Sequence, residues 1–231
     1  MTVNSPTASV QQISPLPVAC VIFDIDGTLA RTNDLIFASF NHVAEKYLGK
    51  TFAPKEIRAL FGPPEEGALQ VVFPPEQTAA AMEDLVEYYR AHHGAMAALH
   101  PGIEELVRYL KARGMKLAVF TGKGNRTARI TLDALGLSRY FDLIVSGNDV
   151  RNHKPHPEGI RKVIDMFHLS PEEVVMVGDS LGDIKASKAA GVRMALVLWD
   201  VEDKDRVLGA GAEHVFHDVA GMLAWFQSLL K

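Results

Sequence analysis

Short apolar runs that each stop at polar or glycine residues constrain the fold of this chain more than any other feature. Residues 18–23 (VACVIF) form the first run, and Asp24 and Asp26 follow it. The run is uniformly apolar instead of alternating, which is typical of a strand buried on both faces of a sheet. Similar runs lie at residues 116–120, 141–145, 174–177 and 193–198.

Amphipathic segments separate these runs. Apolar residues recur in them at helical spacing, and three of the segments stop at Gly114, Gly136 or Gly191, as helices commonly do. Strands that alternate with helices predict a parallel sheet with helices on both faces. We therefore expect a doubly wound α/β core with helices at residues 102–113, 125–135, 157–168 and 181–190.

Residues 33–99 interrupt this alternation. They show helical patterns and no buried strand, with breaks at residues 62–64 and 73–75 where glycine and proline cluster. We expect a small all-helical cap over the carboxyl ends of the strands, where open α/β sheets bind ligands. The predicted domains are a flexible tail at residues 1–17, a core at residues 18–32 and 100–231, and the cap at residues 33–99.

Composition limits the class of partner. The formal net charge is −4, which argues against nucleic acid, because binding a phosphate backbone needs a basic surface. No apolar run approaches the ~20 residues that span a bilayer. The single cysteine, Cys20, lies inside an apolar run. This position predicts that Cys20 is a buried residue and not a catalytic thiol. We expect a cytoplasmic enzyme, as a monomer or a homodimer, with no membrane partner.

Polar side chains follow the predicted strands. Asp24 and Asp26 follow the first, Thr121 the second and Asp179 a later one, whereas Lys154 precedes a helix. Because the carboxyl ends of parallel strands meet at one edge of a sheet, these side chains can converge.

Clustered carboxylates at this edge predict a metal site. Asp24, Asp26, Asp179 and Asp183 would bring up to four negative charges together, and two such charges 4 Å apart repel by about 4 kcal/mol at an effective dielectric of 20. One lysine cannot neutralise them, so either several carboxylates are protonated or a divalent cation lies among them. The oxygen ligands favour Mg²⁺ over Zn²⁺.

Four motifs carry a resemblance to a known family. FDIDGTL, VFTG, KPHPE and VGDSLGDI occur in the order and spacing of the haloacid dehalogenase superfamily, and the match extends over residues 18–231. The chain resembles most the phosphoglycolate phosphatase-like group, and TNDLIFASF and FGPPEE resemble its pyrophosphatase branch. The resemblance implies a Rossmannoid core and a Mg²⁺-dependent phosphatase acting on a small phosphorylated metabolite, with phosphoglycolate and pyrophosphate as candidates.

The resemblance also implies roles for the residues. Asp24 would attack phosphorus and form an aspartyl-phosphate, while Asp26 would act as acid and then as base. Thr121 and Lys154 would hold the phosphoryl oxygens. The metal ligands would be the Asp24 carboxylate, the Asp26 backbone carbonyl, Asp179 and Asp183, the last directly or through water. Backbone N–H groups near Gly27, Thr28 and Gly122 would help to bind the substrate.

Two cationic side chains are candidates for further substrate contacts. Arg31 departs from the family pattern, in which Asp or Asn is usual, and could bind a second anionic group; a solvated arginine at a hinge explains it equally well. Lys123 follows the second strand and would add positive potential. Residues 62–66 are a candidate loop entering the cleft beside Arg31 and Arg58, although an ordinary turn between helices explains them about as well.

Two other functions remain open at this point. A sugar phosphomutase of the same superfamily would use the same pair of aspartates. A phospho-accepting signalling domain of the receiver type also places Asp, Thr and Lys at strand ends. Such receivers do not normally carry a helical cap or a D-x-D pair on the first strand.

Overall fold

The computed structural model describes residues 18–230, which contain eight strands numbered here in chain order. The predicted tail at residues 1–17 lies outside the described residues. The strands are β1 (Cys20–Phe23), β2 (Ala30–Arg31), β3 (Ala98–Leu99), β4 (Lys116–Phe120), β5 (Leu143–Val145), β6 (Val174–Gly178), β7 (Arg193–Val197) and β8 (His214–Phe216).

Ten α-helices lie within the same residues. They are α1 (Asn33–Leu48), α2 (Pro54–Arg58), α3 (Glu65–Val72), α4 (Pro75–Met96), α5 (Ile103–Ala112), α6 (Asn125–Ala134), α7 (Glu158–Phe167), α8 (Leu181–Ala190), α9 (Lys204–Leu208) and α10 (Val219–Leu229). Among residues 18–230 there is no helix that combines the length and the apolar character required to cross a bilayer.

Six strands form one parallel sheet in the order β5-β4-β1-β6-β7-β8. All four residues of β1 are buried. Val21 and Phe23 pack on one side of the sheet with residues of α5 and α10. Cys20 and Ile22 pack on the other side with residues of α7 and α8. A uniformly apolar strand thus serves two cores, and the predicted doubly wound α/β fold is confirmed.

The predicted elements of the sheet are present, and the edge adds elements that the apolar pattern did not reveal. All five predicted strands and all four predicted helices occur within a few residues of their expected positions. The additions are α9, β8 and α10. The three residues of β8 are only partly buried, and α10 is capped by Asp218, whose carboxylate accepts from the Gly221 amide at 2.7 Å.

Residues between β2 and β3 are helical and share a cluster of buried side chains. Leu35, Phe40, Leu69, Leu85 and Tyr89 belong to it. The short strands β2 and β3 pair antiparallel beside these helices, whereas a longer buried strand is absent from residues 33–97. The candidate loop at residues 62–66 differs from expectation, because α3 already begins at Glu65. The domain boundaries at residues 33 and 99 stay predictions.

Candidate active site

Asp24 lies at the carboxyl end of the central strand β1. Its backbone amide donates to the carbonyl of Val177 at 2.9 Å, which extends the pairing with β6. Its carboxylate accepts from the amide of Ile25 at 2.7 Å and lies 3.0 Å from Lys154 Nζ. The sheet edge and a lysine on a separate loop therefore fix this side chain together.

The turn after Asp24 requires glycine at position 27. Gly27 has a φ of +77°, which L side chains rarely adopt. A Cβ there would lie only 2.4 Å from Asp179 Oδ2. Thr28, the next residue, is buried, and its hydroxyl donates to Asp179 Oδ1 at 2.9 Å. This turn thus places and orients Asp179 against the first motif.

Three carboxylates converge at the ends of β1 and β6. Oxygen atoms of Asp24, Asp179 and Asp183 lie within 4.8 Å of one another. Asp183 is fully buried and accepts from Lys154 Nζ at 2.6 Å and from the Ser180 hydroxyl at 2.6 Å. The structure therefore brings together four of the predicted site residues: Asp24, Lys154, Asp179 and Asp183.

Burial makes the charged forms of the side chains in this cluster less favourable. It raises the pKa of Asp24 to about 6, although Lys154 opposes the rise. Burial, followed by the charges of Asp183 and Asp24, raises the pKa of Asp179 well above its usual value. For Lys154, burial disfavours the ammonium, but Asp183 and Asp24 more than compensate and raise its pKa. One ammonium does not balance three carboxylates, so a hard divalent cation with oxygen ligands fits the remaining charge.

The Asp26 side chain lies apart from this cluster. Its carboxylate accepts a short hydrogen bond from the Thr32 hydroxyl and lies 3.2 Å from Lys123 Nζ. The two aspartates of the D-x-D motif thus have different lysine partners, Lys154 for Asp24 and Lys123 for Asp26. Only the backbone of Asp26 remains a candidate for the metal.

Thr121 and Gly122 lie where β4 ends. Thr121 is buried, its amide donates to the carbonyl of Val145 at 3.0 Å, and its hydroxyl oxygen accepts from the Lys123 amide at 3.3 Å. A Cβ on Gly122 would lie 3.2 Å from the carbonyl oxygen of Gly62. The loop after β4 therefore lies directly against the helical segment, by which we mean α1 to α4 between β2 and β3.

Glu65 lies within the candidate loop at residues 62–66, but the sequence pattern did not single it out as a site residue. It is buried at the start of α3, and its carboxylate accepts from the Gly124 amide and the Thr127 hydroxyl, each at 2.6 Å. Both donors belong to the start of α6, whose N-cap residue is Gly124 and therefore offers no side chain to cap the helix. The local sequence, a glutamate after two prolines, does not indicate that this side chain contacts residues about 60 positions later.

Arg31 lies at the exposed end of β2, and its charge acts on His100 and Asp200. Burial, followed by the charge of Arg31, lowers the pKa of His100 to about 4. The Arg58 guanidinium pairs with Glu202 at 2.5 Å. Burial raises the pKa of Asp200, and the nearby charges of both Arg31 and Arg58 oppose the rise. A contact of Arg31 with substrate stays a prediction.

Comparisons with known proteins agree with this geometry. A model of the haloacid dehalogenase-like hydrolase family matches residues 21–197. The pyrophosphatase PpaX of Halalkalibacterium halodurans is 34% identical over 212 residues, which cover 90% of this chain and 96% of that protein.

Two solved structures have the same fold. A predicted phosphoglycolate phosphatase from Haemophilus somnus superposes with a TM-score of 0.82 at 22% identity, covering 93% of this chain and 100% of that one. CbbY from Rhodobacter sphaeroides, in complex with phosphate, gives a TM-score of 0.75 at 26% identity, covering 89% of this chain and 96% of that one. The family model, the pyrophosphatase relative and the shared fold lead to one conclusion: this chain belongs to the haloacid dehalogenase-like hydrolase family.

Proposed function

We propose that this hydrolase is a magnesium-dependent phosphatase that takes a phosphoryl group from a small metabolite onto Asp24. The observation that carries the proposal is the placement of the Asp24 carboxylate, 3.0 Å from a buried lysine and within 4.8 Å of two further carboxylates. A carboxylate is an adequate nucleophile towards an anionic phosphate once nearby positive charge reduces their repulsion.

The donor set fits Mg²⁺. The ligands would be Asp24, Asp179, the backbone carbonyl of Asp26, and Asp183. Both oxygens of Asp183 already accept hydrogen bonds from Lys154 and Ser180, which suits it to an outer position reached through water. When bound, Mg²⁺ would neutralise negative charge on the carboxylates and on the phosphoryl oxygens.

Each remaining residue has a role in the proposed reaction. As an oxygen of Asp24 bonds to phosphorus, the bond from phosphorus to the leaving oxygen breaks, and Asp26 gives that oxygen a proton. Water then attacks the aspartyl-phosphate, Asp26 takes a proton from it, and phosphate leaves. Lys154 and Thr121 would stabilise the phosphoryl oxygens, together with Gly27, Thr28, Gly122, Lys123 and Arg31.

The substrate class that we propose is a compact phosphate ester or pyrophosphate. The pyrophosphatase name of the relative and the phosphoglycolate phosphatase name of the structural neighbour support these two candidates. Residues 33–99 would form a cap that closes over the cleft and excludes water. We also propose a cytoplasmic monomer or homodimer that does not bind nucleic acid.

The test is a hydrolysis screen over phosphorylated metabolites that includes pyrophosphate, phosphoglycolate and an aryl phosphate, with Mg²⁺ and then with a chelator. We expect phosphate release that requires Mg²⁺ and is lost in Asp24→Asn. Asp203→Asn, which changes an exposed carboxylate, should retain full turnover. Full activity of Asp24→Asn would refute the assigned nucleophile.

Product analysis separates the alternatives. An isomerised sugar phosphate without net phosphate release would indicate a phosphomutase. Stable phosphorylation without turnover would indicate a receiver domain.

A further inference from the structure

The Lys123 side chain is enclosed between the helical segment and the core. Its side chain is only 1% exposed, and its ammonium lies 3.2 Å from Asp26 Oδ1. The same ammonium lies 3.8 Å from Glu65 Oε1 and 4.7 Å from the centre of the Tyr89 ring. Of these three neighbours, Asp26 belongs to the core turn after β1, whereas Glu65 and Tyr89 belong to α3 and α4.

Glu65 is held more firmly than a surface carboxylate. The Gly124 amide and the Thr127 hydroxyl both donate to it. A Cβ on Gly124 would lie 2.5 Å from Glu65 Oε2, so the absence of a side chain there makes room for the carboxylate. Because the amides at the start of a helix favour negative charge, α6 provides a fitted seat for this glutamate.

The neighbours of Lys123 keep it charged although it is buried. Burial disfavours the ammonium, but Asp26, Tyr89 and Glu65 together raise the pKa of Lys123 above its usual value. A buried charge of this kind holds its place only while its partners remain. Two of the three partners would leave if α3 and α4 moved away from the core.

We propose that Glu65 is a positioning residue whose docking on α6 fixes the Lys123 ammonium against Asp26. This inference rests on the proposed function, in which Asp26 exchanges the proton with the leaving group. The Thr32 hydroxyl donates to one oxygen of Asp26, and the Lys123 ammonium approaches the same carboxylate from the loop after β4. The acid–base residue is thereby oriented only when the helical segment is seated.

The chain offers a matched control that bonds to the same partner helix, α6. Glu83, on α4, also bonds to α6, because Arg126 donates to its two oxygens at 2.5 and 2.7 Å. This pair is exposed and does not contact Lys123. It therefore joins the same two parts of the chain without acting on Asp26.

The first experiment measures kcat and KM for Glu65→Gln and Glu83→Gln with the best substrate of the screen. We expect Glu65→Gln to lower kcat by about 10²-fold, the cost of a 1 Å misplacement, and to change KM little. Glu83→Gln should match the wild type. An unchanged kcat in Glu65→Gln, a change confined to KM, or an equal loss in Glu83→Gln would overturn the proposal.

The second experiment needs no substrate. It measures urea unfolding of Glu65→Gln, Lys123→Met and the double variant. Residues that act on each other give non-additive effects, and we expect the double variant to depart from additivity by at least about twofold in the unfolding constant. Additive effects would refute the coupling. An inactive wild type would instead refute the proposed function, so the two failures are distinguishable.

Discussion

Among residues 18–230, Lys154 is the only lysine in contact with the acidic cluster formed by Asp24, Asp179 and Asp183, and Lys154→Met removes its charge. The ammonium lies 3.0 Å from Asp24 Oδ2 and 2.6 Å from Asp183 Oδ1. At an effective dielectric of 20, each attraction amounts to about 5–6 kcal/mol, but the cost of taking the charges out of water cancels much of it. Breaking a buried ion pair on one side typically costs about 3–5 kcal/mol, and we expect a loss of this size in the free energy of unfolding.

The loss should depend on pH and on metal. The pKa of Asp24 is raised to about 6, so its carboxyl group is largely neutral at pH 5 and charged at pH 8. The substitution should therefore cost less stability at pH 5 than at pH 8. Added Mg²⁺ should restore part of the stability at pH 8, because a ligand that binds only the folded state stabilises it.

Urea unfolding at both pH values, with chelator and with Mg²⁺, measures these effects. Lys162→Met is the control, since the Lys162 side chain is about half exposed and its ammonium lies 3.8 Å from Glu158, and exposed pairs contribute about 1 kcal/mol or less. An equal loss in both variants, or a loss for Lys154→Met that is the same at pH 5 and pH 8, would refute the electrostatic reasoning.

Two further predictions concern a turn and a histidine. Gly27→Ala should destabilise the protein by at least about 1 kcal/mol more than Gly49→Ala in urea unfolding. A left-handed φ costs both variants about 1–2 kcal/mol, but of these two positions only Gly27 has a carboxylate 2.4 Å from the new Cβ. Equal losses would contradict this. Burial lowers the pKa of His100 to about 4, so the unfolded chain takes up its proton first as pH falls below about 6.5, and stability is lost between pH 6.5 and 4. His100→Gln should reduce this loss by about 1–2 kcal/mol relative to the wild type, measured by unfolding at pH 7 and pH 4.5, and parallel pH profiles would refute the assignment.

The sequence predicted the parts of the fold that depend on local pattern. Uniform apolar runs identified the strands, because a strand buried on both faces needs apolar residues at every position. The same logic fails for β8, whose three residues are only partly buried. It also failed to separate α3 from the turn before it, since Gly62, Pro63 and Pro64 lie immediately before Glu65.

The pairing within the site required three dimensions. Strand ends predicted that Asp24, Asp179 and Lys154 converge, as they do. Nothing in the spacing predicted that Lys123 turns towards Asp26, because that direction depends on Glu65 and on Tyr89, 58 and 34 positions earlier in the numbering. Contacts between an inserted segment and the core depend on how the segment is seated, which no local periodicity records.

The burial of Cys20 in β1 has a practical consequence. The chain has one cysteine, and it lies without exposed surface in β1, one of the two central strands of the sheet. Burial raises the pKa of its thiol to about 12. Because the thiolate is the reactive form, alkylating reagents should modify it only after the sheet has come apart. The rate of modification under native conditions would therefore report the rate at which the sheet opens, without an added label. A ligand that stabilises the folded state should lower that rate.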